Sequence, residues 1–121
     1  MYENLLTQCR RTAAWLAALP LARLGAAGDP GTTAERAYEL VCAVDRLTRR
    51  VATGSGPPAG IMPPRLAPQA AGWQLAVFAD ELARQVTELA AAVPATDQSA
   101  LAAEAERLAA FALDLRRGAL S

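Results

Sequence analysis

Three arginine pairs, Arg10-Arg11, Arg49-Arg50 and Arg116-Arg117, are the side chains best suited to chemistry in this sequence. A guanidinium is a planar fork of donors that grips phosphate or carboxylate through two parallel bonds. Gathered at one pole, Arg10, Arg11, Arg49, Arg50, Arg116 and Arg117 would bind a small anionic ligand. Acids crowd elsewhere, at Asp29, Glu35, Glu39, Glu88, Asp97, Glu104 and Glu106. A simpler effect accounts for part of this layout. Bases at helix ends and acids at helix starts complement the helix dipole, for about 0.3–1 kcal/mol each. That covers two of the pairs but leaves Arg10-Arg11 in mid-helix unexplained.

The missing residues narrow the chemistry further. The 121 residues include no His and no Lys, while a quarter of them are Ala. General base work by imidazole is excluded, as is Schiff-base chemistry by lysine. A cysteine nucleophile would lack its His partner. Bundle di-iron sites require Glu-x-x-His, which is absent. No catalytic, cofactor-binding or metal residues are therefore assigned, and the chain is read as a non-enzyme. Twelve Arg against twelve Asp and Glu give no net charge, so nucleic acid is not an expected partner.

Two tryptophans suggest a surface. Trp15 and Trp73 lie off the main apolar stripes of their helices, Trp15 beside Leu19 and Trp73 beside Val77. Trp is enriched at interface hot spots, and a buried ring covers roughly 150–250 Å². The four residues are read as one partner surface. Cys9 and Cys42 are too few for a disulfide scaffold and read as buried thiols. A redox-linked crosslink between them would need both level in one hairpin.

Four helices must position these groups. Apolar residues recur at spacings of three and four in four blocks. Helices are expected at about residues 2–19, 33–53, 70–93 and 97–117, within one domain of residues 1–121. The first buries Tyr2, Leu5, Leu6, Cys9, Ala13 and Leu16; Pro20 ends or kinks it, with one more turn possible over Leu21 to Leu24. The turn Gly28-Asp29-Pro30-Gly31 follows. The second opens on a capping box, Thr32-x-x-Glu35, and buries Ala37, Leu40, Val41, Val44, Leu47 and Val51. The third buries Leu75, Phe78, Leu82, Val86, Leu89 and Val93, with Asp80, Arg84 and Glu88 as a wet ladder. The fourth buries Leu101, Ala105, Leu108, Ala112 and Leu115.

Residues 54–69 are rich in Gly and Pro and form a loop, with Ile61, Met62 and Leu66 able to pin it. Extended, it reaches ~45 Å, against ~30 Å for a helix of this length. It could turn back locally or run the length of the molecule. Short connections favour the first, and hence an all-α, antiparallel four-helix bundle in up-down-up-down order.

No run is long and apolar enough to cross a membrane, so no membrane association is expected. The first 25 residues loosely imitate a secretory leader, but Glu3, Pro20 and Arg23 break its pattern. A reducing, cytoplasmic location is expected. The function expected is a non-catalytic interaction module, a homodimer or a small subunit docking on a protein partner. The alternative is a regulator or carrier of a small molecule, anionic at the arginines or apolar between Ala-lined helices.

Overall fold

The computed structural model describes residues 2–25, 31–53, 62–89 and 95–118. Among them the structure is all-α. Helix α1 spans Glu3–Ala18, the single turn α2 Leu21–Leu24, α3 Thr33–Thr53, α4 Ala71–Leu89 and α5 Ala95–Gly118. A 3-10 turn, Pro68–Ala70, leads into α4.

Pro20 closes α1 and caps α2, as its fixed φ requires. Gly25 then reverses the chain at φ +83, where a side chain would also strike the Thr32 methyl. Of the turn expected at residues 28–31, only Gly31 is described. The capping box at α3 forms by half. The Glu35 amide donates to Thr32 Oγ1 at 3.1 Å, but the Glu35 carboxylate turns away to Arg65.

The apolar stripes face inward. Leu5, Cys9 and Leu16 on α1, Leu40, Val44 and Leu47 on α3, Leu75 and Leu82 on α4, and Leu101 and Leu115 on α5 form one core. Leu6, Phe78, Val86 and Leu108 pack against it while only partly buried. The side chain expected inward at Leu89, and Val93, lie outside the described residues. Several small residues join the core unexpectedly, Ala71, Ala79 and Ala109 among them.

The helix directions follow from particular contacts. A side chain at Gly72 would touch the backbone of Ala13 and Ala17, and Arg10 lies 3.8 Å from Asp80, so α1 and α4 run antiparallel. Arg50 pairs with Glu104 while Arg36 lies over the Phe111 ring, so α3 and α5 are antiparallel too. Asn4 reaches Glu106 and Thr12 reaches Ala112, which makes α1 and α5 parallel. The first turns of α3 and α4 share one pocket, so these two are parallel as well. Each long helix packs mainly on two others, α1 and α3 each against α4 and α5.

The favoured up-down-up-down order is thus corrected. With α3 and α4 parallel, the end of α3 lies at the opposite end of the helix pair from the start of α4. Residues 62–67 cross between the starts of α3 and α4 as a strap. Met62 was expected to pin this strap and instead stands 62% exposed. Carbonyls do that work: Tyr38 donates to Pro63 O at 2.6 Å and Gln74 to Pro64 O at 2.6 Å.

Candidate functional site

The arginines do not assemble into one pole. Because α3 is antiparallel to α5, Arg50 meets Glu104, twelve residues and about 18 Å along α5 from Arg116. Arg49 is bound to Asp45 one turn back. Arg10 leans toward Asp80 on α4. What remains together is Arg11, Arg116 and Arg117. Arg116 is built into the seam between α1 and α5. Its Nη1 donates to Gln8 O at 3.1 Å and Thr12 Oγ1 at 2.9 Å, and its Nη2 to Gln8 Oε1 at 2.6 Å. Burial, then the charges of Arg11 and Arg117, hold its pKa below the usual arginine value. With three of its donated bonds fixed by protein, Arg116 is chiefly a strut.

The two tryptophans separate likewise. Trp15 and Leu19 share the edge of α1 that carries Gln8 and Thr12, the residues engaged by α5, and both pack partly buried against the core. Trp73 and Val77 stand on the outer side of α4, 65% and 44% exposed. They are level with the exposed Ala14 and Ala17 of α1, because Gly72 draws the two helices into backbone contact. The result is an apolar strip along the α1–α4 pair, ended by Arg10 and Asp80. The expected wet ladder on α4 is rearranged beside it. Arg84 bonds Glu81 at 2.6 Å and lies 3.6 Å from Glu88, while Asp80 faces Arg10.

A pocket of about 250 Å³ opens beneath the strap. Ala34, Ala37 and Val41 of α3 form one wall, and Ala71 of α4 another. Leu66, Ala67 and Pro68 cover it. At its rim Arg65 makes a bidentate bond to Glu35, both distances 2.7 Å, and its guanidinium sits 4.5 Å from the Tyr38 ring centre. The Glu35 carboxyl is held below its ordinary range, chiefly by that hydrogen bond.

Sequence reasoning did not pick out Tyr38, Arg65 or Gln74. One signal was present: Arg65 is the only charge in residues 54–69, and a lone charge in an apolar loop implies a specific partner. Nor was Thr12 picked out, whose hydroxyl is fully buried between α1 and α5.

Both thiols are buried. Cys9 is fully buried, and burial pushes its pKa up to about 12. Cys42, also free, lies near Tyr38 with its pKa raised mainly by burial. The two do not share a seam, since α1 and α3 pack on α4 and α5 rather than mainly on each other. Among the described residues no group of acids or cysteines could hold a metal ion. No helix among them is long and apolar enough to cross a membrane. Comparison with protein-family models, with curated proteins and with solved structures finds no match.

Proposed function

We propose that this protein is a non-catalytic interaction module that associates with a second copy of itself through the outer face of α1 and α4. The observation that carries this reading is the exposure of Trp73, at 65% of its surface, on a helix whose opposite side fills the core. A large ring held in water on a rigid helix is the usual anchor of an interface. We read the helix contacts as a four-helix bundle with one crossover.

Charge favours self-association over a foreign partner. The strip is bordered by both signs in near balance: Arg10 and Asp80, then Arg84 with Glu81 and Glu88. With both signs present and neither dominant, the border offers no like-charge excess to oppose a second copy of the same face, the self-complementary contact of a two-fold dimer. The chain carries no net charge to oppose the approach. Size sets the strength. A helix of 19 residues is ~28 Å long, and the strip is one helix pair wide. That falls short of the ~800 Å² a standard interface takes from each partner. The association is therefore weak and concentration-dependent. Two free, buried thiols fit a reducing, cytoplasmic setting.

Tryptophan emission tests the reading. With rising protein concentration the emission moves to shorter wavelength as Trp73 leaves water. An emission maximum constant across the accessible range contradicts self-association through this face.

A further inference from the structure

The pocket under the strap has no part in that self-association, because it opens between α3 and α4 and not on the outer α1–α4 face. We infer that it is a binding site for a small, uncharged, mostly apolar molecule of about the size of indole.

Size comes first. A dry apolar cavity of about 150 Å³ takes up benzene, and the part-open space under the strap is about 250 Å³. A two-ring aromatic, or an aliphatic molecule of similar bulk, is the matching guest. The wall comes next. Ala34, Ala37, Ala67 and Ala71 line the space where larger side chains would have filled it. Polar groups around the pocket are committed to the protein. The Tyr38 hydroxyl is spent on Pro63 O, the Gln74 amide N–H on Pro64 O, and Glu35 and Arg65 on each other. A charged guest would have to break the Glu35–Arg65 pair to gain a partner, whereas an apolar guest leaves every one of these bonds intact. The driving force is the apolar area removed from water on both sides.

The strap is the natural door. Its hold on α3 and α4 includes the bonds named above, and its cover residues Leu66 and Ala67 are exposed. The pocket is already part-open, and loosening these few bonds would widen it without disturbing the core, where Leu40, Val44 and Leu75 are fully buried.

Indole, titrated into the intact protein and followed by amide NMR shifts, tests the inference. Saturable shifts are expected at Ala34, Ala37, Leu66, Ala71 and Gln74, with none at Trp73 or Val77. Ala34→Leu fills the space from a half-buried position and should weaken indole at least tenfold, while its circular dichroism stays that of the parent. Ala67→Leu approaches from the strap and should act likewise should Ala34→Leu fail to fold. Benzoate, which carries a charge, should bind at least tenfold more weakly than indole. Absence of saturable shifts up to the solubility limit of indole overturns the inference. So does indole binding unchanged in a folded filling variant, or benzoate binding as tightly as indole.

Discussion

Arg116 Nη1 lies 2.9 Å from Thr12 Oγ1, and that hydroxyl in turn donates to the Ala112 carbonyl at 3.3 Å. One buried threonine on α1 thereby ties two levels of α5. Thr12→Val keeps the shape and removes the hydroxyl, leaving a half-buried guanidinium short of one acceptor. Loss of a buried partner costs about 1–3 kcal/mol. Urea unfolding should show that loss, and Thr12→Ser should recover most of it. An unchanged midpoint in Thr12→Val would mean that Gln8 alone positions Arg116.

Gly72 marks the closest approach of α1 and α4. An added Cβ would stand 2.6 Å from the Ala13 carbonyl oxygen and 2.9 Å from the Ala17 nitrogen, both backbone atoms. In an exposed helix interior Gly→Ala gains about 1 kcal/mol. Here the clash dominates, because rigid backbone has to move, and overpacking costs about 1–3 kcal/mol. Gly72→Ala is expected to lower stability in denaturant titration, opposite in sign to what helix propensity alone gives.

The strap clasp responds to acid. The Glu35 carboxyl is depressed chiefly by the Arg65 hydrogen bond. A depressed folded-state pKa means that the stabilisation is present above the ordinary carboxylate range and lost as pH falls through the lowered value. Tyr38 ring resonances, which sense the guanidinium 4.5 Å away, should shift over that acid window. In Glu35→Gln they should sit near the acid position already at neutral pH and stay there.

Base acts on the core. Cys9 is buried with its pKa pushed up to about 12 from an ordinary 9.0. A raised value means that its contribution is complete below pH ~9 and declines above it, as the unfolded thiol ionises and the folded one does not. The slope approaches about 1.4 kcal/mol per pH unit between those two values. Cys9→Ala should flatten the alkaline decline, the comparison being between slopes and not absolute stabilities.

The helices and their inner faces were legible because burial imposes a period that the residue types betray. Every member of the α3 stripe from Ala37 to Val51 is buried as its spacing requires. Helix direction was not legible. A loop of residues 54–69 is long enough for either course, and the contacts that decide it join residues far apart, such as Arg10 with Asp80 and Asn4 with Glu106. The arginine pole dissolved for the same reason: parallel α3 and α4 send Arg49 and Arg50 to one end and Arg116 and Arg117 to the other. Trp73 and Val77 could be read from their place off the stripe. Trp15 and Leu19 share that trait, yet they fall on the edge next to α5 and are half covered. Thr12 falls outside the apolar stripe read for α1, and only the third dimension supplies Arg116 and Ala112 to satisfy it.

Sedimentation equilibrium of the parent protein beside Trp73→Ser, over a hundredfold range of concentration, tests the self-association reading most directly. The parent mass should climb from one chain toward two with concentration, while Trp73→Ser, its circular dichroism unchanged, stays at one. A parent that remains at a single chain throughout, or a folded Trp73→Ser that associates as the parent does, would contradict it.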